Sequence, residues 1–160
     1  MKKYLLLIIA AILFASCSDD AVGPDEDVLF EPTGFMLNLN ETTHLYYNNG
    51  ELDPEKGDTL IIEWYLGERT YDVKYLDIEG NILEYPDPLE YYTYAEVLNS
   101  SDIDEKKALA TAFNDILSVT PHDEGETVFT YTVTKSDGTV ILEAVDIPLS
   151  VRRPQATIKK

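Results

Sequence analysis

From position 34 onward the chain alternates apolar and polar residues with a period of two. GFMLNLN (34–40) sets Phe35, Leu37 and Leu39 on one side, and TLIIEWYL (59–66) sets Leu60, Ile62, Trp64 and Leu66 together with Glu63 and Tyr65 opposite. Successive strand side chains point to opposite faces, so this pattern predicts half-buried antiparallel strands and puts Trp64 in the core. TYDVKYL (70–76) continues with Tyr71, Val73 and Tyr75 inward, and a short strand over 82–85 follows the Gly80-Asn81 turn. Together these predict a meander of three strands.

Nearer the C-terminus, TVFTYTVT (127–134) and TVILEAV (139–145) flank Lys135-Ser136-Asp137-Gly138. Asp-Gly between β-branched and aromatic runs signals a hairpin, because glycine accepts the positive φ of the turn. Pro148 limits the returning strand or marks an edge or bulge there. One stretch departs from period two. Ile103, Leu109, Ala110, Phe113, Ile116 and Leu117 recur at helical spacing, Asp102 and Glu105 make a capping pair, and Pro121 supplies a stop. An amphipathic helix over about 102–119 is expected, laid across the sheet.

Gly57-Asp58-Thr59-Leu60-Ile61-Ile62-Glu63-Trp64, followed by GETVFTYTVT (125–134) and the Asp137-Gly138 turn, is similar to the early and last two strands of immunoglobulin-like or PKD-like sandwich domains. The resemblance implies a mostly β, antiparallel immunoglobulin-like sandwich in which the helix is an insertion. Thr127 stands where a corner tyrosine is expected.

Ahead of this domain, Lys2 and Lys3 precede an apolar run, YLLLIIAAILF (4–14), and the small pair Ala15-Ser16. A membrane-spanning helix needs about 20 apolar residues. This run is too short, and it fits the apolar part of a secretory signal. Phe14-Ala15-Ser16-Cys17 resembles the lipobox of bacterial lipoproteins, with Phe14 in place of the usual leucine. The resemblance implies cleavage before Cys17, a diacylglycerol on its sulfur and acylation of the new amino end. Each buried methylene contributes about 0.8 kcal/mol and one chain binds only marginally, so two or three chains would anchor the protein to a bilayer. Ser18-Asp19-Asp20 resembles the acidic surface-export signal of Bacteroidota lipoproteins, which implies an outer-membrane protein on the cell-surface face. The expected organisation is a cleaved signal (1–16), lipidated Cys17 with an acidic tether (17–27), one β-rich domain (28–153) and a short tail (154–160).

Charge narrows the partners. Twelve basic residues face 30 acidic ones, a net −18. Loss of Lys2 and Lys3 with the signal leaves 10 against 30, which repels nucleic acid and anionic surfaces. With Cys17 acylated no thiol remains, and His44 and His122 are the only imidazoles. HExxH, P-loop and dinucleotide motifs are all absent from the sequence. The chain is therefore expected not to be an enzyme, the alternative being an envelope hydrolase built on a carboxylate pair.

Calcium tolerates irregular oxygen-rich loops, and Asp53 with Asp58 and Asp123 with Glu124 supply two such clusters. Neither matches EF-hand spacing, so no metal is assigned and no other cofactor is expected. YPDPLEYYTY (85–94) gathers Tyr85, Tyr91, Tyr92 and Tyr94, whose flat rings and polar tips suit a glycan or an envelope protein. The competing reading has these rings covering the joint between helix and sheet. Asp58-Thr59-Leu60 also fits a short O-glycan acceptor pattern. The expected function is a lipid-anchored cell-envelope binding or accessory module, serving adhesion, glycan capture or envelope complex assembly.

Overall fold

The computed structural model describes residues 29–86, 88–98 and 107–153. The signal, Cys17, the tether and the tail lie outside the described residues. In chain order the strands are β1 (Gly34–Leu39), β2 (Thr42–Asn48), β3 (Glu51–Leu52), β4 (Leu60–Glu63), β5 (Arg69–Leu76), β6 (Ile82–Leu83) and β7 (Tyr91–Leu98). β8 (Ala108–Phe113), β9 (Ile116–Pro121), β10 (Gly125–Lys135) and β11 (Val140–Arg152) complete them. One sheet has the order β3-β2-β1-β5-β9-β8 with β6 also on β5, and the other has the order β4-β11-β10-β7. All pairings are antiparallel except β4 with β11, where Leu60 to Glu63 run alongside Leu149 to Arg152.

The inward residues meet between the sheets. Phe35, Leu37, Tyr71, Val73 and Tyr75 from one sheet and Leu60, Phe129, Tyr131 and Leu149 from the other are all buried. Phe35 and Tyr131 pack with ring centroids 4.6 Å apart. Each large apolar side chain buried this way contributes about 1.5–3 kcal/mol. Period-two patterning thus places Phe35, Leu37, Tyr71, Val73 and Tyr75 as expected. Gly34 is needed at a close crossing, because a Cβ there would overlap the Tyr47 carbonyl and the Asn48 backbone.

Three expectations are corrected. The described part of the predicted helix is the β8–β9 hairpin, with Phe113 paired to Ile116 across Asn114 and Asp115. Asn114 adopts φ 56, a left-handed turn conformation that would break a helix, and asparagine accepts it more readily than most residues. Ala108 on one side and Leu117 and Val119 on the other then alternate inward.

Trp64 is the second correction. Strand β4 stops at Glu63, where its partner β11 ends at Arg152, and Trp64–Leu66 form a 3-10 turn outside the core. Trp64 is 43% exposed there. The third correction is the meander: β4 belongs to the second sheet, while β5 lies between β1 and β9. The hairpin of β10 and β11 forms as expected and is longer than predicted. Pro148 stays inside β11, opposite Val128, and the register shift falls just before it at Val145 and Asp146. Thr127 is buried, and its hydroxyl donates to the Leu98 carbonyl at 2.8 Å.

Candidate functional site

Strand alternation divides the tyrosine-rich segment into two sets. In β7, Tyr91 and Thr93 face the core, while Tyr92 and Tyr94 face outward at 46% and 57% exposure. Tyr91 packs edge-on to Phe30 at 5.1 Å, and Tyr85 does so at 5.7 Å. Tyr85 also stacks on Tyr75 at 5.3 Å and donates to the Tyr91 carbonyl at 3.3 Å. Burial pushes its phenol pKa up. Tyr85 and Tyr91 therefore belong to an aromatic cluster at the core margin, and Tyr92 and Tyr94 stand outside it as exposed rings.

These two rings form one wall of a cleft. β7 and β8 are end strands of different sheets, and the cleft opens between them. Pro88, Leu89, Tyr92, Tyr94, Ala112 and Phe113 line about 530 Å³, with Thr93 and Asn114 completing it. Leu89 and Phe113 are 76% and 74% exposed, so four large apolar side chains stand in one concave place. Contiguous exposed apolar surface of this kind marks interaction sites in soluble domains. No charged side chain is among those lining residues.

One lip of the cleft is fixed from within. The backbone carbonyl of Asn114 accepts a 2.9 Å hydrogen bond from the Tyr75 hydroxyl, which anchors the hairpin tip to the core. Sequence spacing puts Phe113 on a helix face. The alternation in ALATAF (108–113), with alanines inward and Phe113 outward, is the signal that could have found it.

The acidic candidates hold their own loops. Asp53 accepts the Glu55 and Lys56 amides at 2.9 and 3.3 Å and pairs with the Lys56 ammonium at 3.4 Å. Its carboxyl pKa is lowered, chiefly by the Glu55 amide. Asp58 accepts from the hydroxyl of half-buried Thr59 at 3.1 Å. Asp123 meets the Lys107 ammonium at 2.9 Å, the main cause of its lowered pKa, and Glu124 pairs with Arg153 at 2.9 Å. Among the described residues, no three His, Cys, Asp or Glu side chains are grouped to hold a metal ion. His44 packs its edge on Tyr71 at 5.8 Å, and His122 is exposed in the turn before β10.

No protein-family model, curated protein or solved structure matches this chain.

Proposed function

We propose that this chain is a lipid-anchored binding module of the bacterial cell envelope. Acylated Cys17 would hold it on the outer membrane, facing the cell surface, and an immunoglobulin-like sandwich would present the cleft of Tyr92, Tyr94 and Phe113. The observation that carries the reading is that cleft: a concave, largely apolar site between the end strands of two sheets. The lipobox-like run and the acidic residues after it support the anchor. A carboxylate hydrolase is not favoured, because no acid lines the cleft.

The test is made in cells. Wild-type protein should take up radiolabelled fatty acid and capture a partner or glycan from the intact envelope. Cys17→Ala should abolish the label, and the double variant Tyr92→Ser with Tyr94→Ser should abolish capture while keeping the label. Label on the Cys17→Ala protein would overturn the anchor, and undiminished capture by the double variant would overturn the site.

A further inference from the structure

We infer that the ligand is a neutral polysaccharide, lying across the open face of the four-stranded sheet and entering the cleft at Tyr92 and Tyr94. The inference rests on the binding-module reading and names the ligand class.

Strand register supplies the first observation. Tyr94 pairs with Thr132 and Thr132 pairs with Glu143, so these three side chains stand in one row across β7, β10 and β11. A second row runs from Tyr92 through Thr134 to Val140, and Glu96 stands beside Thr130 in a third. Tyr92, Tyr94 and Glu143 are exposed, and the threonines between them are half-buried. This is the outward face, since Tyr131 and Val133 point into the core.

Spacing turns the rows into a platform. Neighbouring strands are about 4.8 Å apart and alternate residues on one strand about 7 Å apart, so the face offers hydroxyls, carboxylates and rings at intervals of a few ångströms. A sugar ring carries C–H bonds on its faces and hydroxyls around its rim. Tyrosine rings cover the first kind of surface, and threonine hydroxyls and carboxylates bond the second.

Charge then selects among polymers. The three rows contain Glu96 and Glu143 and no lysine or arginine, Arg152 lying beyond them at the end of β11 with its Nε–H donating to the Ser150 hydroxyl, within a chain of net charge −18. Polyanions such as sulfated or phosphorylated glycans would be repelled. A protein partner would be expected to meet an apolar centre depleted of charge. Here the rows beyond the tyrosines carry Thr130, Thr132, Thr134, Glu96 and Glu143, with Val140 the exposed apolar side chain among them.

The probes are soluble starch, mixed-linkage β-glucan, xylan and mannan, each cast into a native gel, with heparin and polylysine as charged controls. The full lipidated chain, extracted in detergent, is run through each. At least one neutral polysaccharide should retard the wild type, and added salt should not relieve it. Tyr94→Ala should weaken retardation about tenfold, equivalent to about 1.4 kcal/mol. Thr132→Val, which keeps the β-branched shape, and Glu143→Gln should each weaken it about threefold, as loss of one hydrogen bond would. Unchanged melting midpoints check that all three variants fold.

Failure to be retarded by any neutral polysaccharide overturns the inference. Retention by polylysine alone, abolished by salt, overturns it in favour of a basic partner. Loss on Tyr94→Ala with no effect of Thr132→Val and Glu143→Gln confines the ligand to the cleft; it overturns the platform and leaves the binding-module reading standing. Retardation indifferent to Tyr92 and Tyr94 together overturns both.

Discussion

The hydroxyls of Tyr75 and Tyr131 lie 2.7 Å apart in the buried centre of the domain, one from each sheet. Tyr75 donates onward to the Asn114 carbonyl, so Tyr131 donates to Tyr75 and a two-bond relay links the second sheet, the first sheet and the lip of the cleft. Polar groups this deep cost free energy unless bonded. Tyr131→Phe removes one bond and should cost about 1 kcal/mol, whereas Tyr75→Phe strands two partners and should cost about 1–3 kcal/mol. Denaturant unfolding of both variants and the double variant checks the order, and equal losses from the two single changes would contradict the relay.

Alkaline pH should unfold the domain through these same phenols. Burial raises the pKa of Tyr71 to about 12 and pushes those of Tyr75 and Tyr131 up as well, against about 10 in an unfolded chain. A raised folded pKa gives stability that is complete below the unfolded value and lost as pH climbs through the folded one. The melting midpoint should therefore show no tyrosine-linked change below about pH 10 and fall between about pH 10 and 12. The tyrosinate absorbance contributed by Tyr71, Tyr75 and Tyr131, isolated by comparison with their Phe variants, should rise together with loss of structure; ionisation of these three in a still-folded domain would refute the burial.

Tyr91 and its neighbours in β7 should separate stability from binding. Tyr91→Ala opens the aromatic cluster with Phe30 and should cost about 3–5 kcal/mol. Tyr92→Ser and Tyr94→Ser, on the outer face, should each stay within about 0.5 kcal/mol and act on ligand capture instead. Thermal melts beside the retardation assay test the division, and a large stability loss at Tyr94 would put that ring in the core.

Trp64 should behave as a surface residue despite its size. It sits in the 3-10 turn with the Arg153 guanidinium 5.7 Å from its ring, and Trp64→Ala should cost no more than about 1 kcal/mol. Phe129→Ala, fully buried, should cost about 3–5 kcal/mol. Chemical denaturation of the pair distinguishes them.

Asn114 tests the hairpin directly. Asn114→Gly keeps the left-handed turn and should be near neutral, whereas Asn114→Val should cost about 1–2 kcal/mol, because a branched side chain resists positive φ. Opposite behaviour, with valine tolerated and glycine harmful, would fit a helix in that region and is read by unfolding of the two variants.

What was legible in the sequence was burial by alternation. Phe35 and Leu37, Tyr71 to Tyr75 and the Asp137-Gly138 hairpin all follow from side chains that switch faces at every residue. Alternation carries no information about where a ladder ends. Leu60, Ile62, Trp64 and Leu66 read as one face, yet the strand stops when its partner does, a contact some 90 residues away in sequence (149 − 60 = 89). The helical pattern fails for a related reason: Leu109, Phe113, Ile116 and Leu117 match helical spacing only because a two-residue turn falls between two strands. Half of the cleft was visible as a tyrosine cluster. The other half, Ala112 and Phe113, is brought to it by the pairing of β8 with β9, which no local pattern encodes.

The parallel pairing of β4 with β11 sets an order of events during synthesis. Leu60 and Ile62 emerge early, but the strand that covers them is Leu149 to Arg152. Until that last stretch has been made, the edge of β11 does not exist and these apolar side chains have no place to dock. Pairings of such long sequence separation also form slowly, since loop closure precedes the contact that rewards it. The growing chain thus has an exposed apolar strand for most of its synthesis, a natural binding site for chaperones that hold unfolded chains.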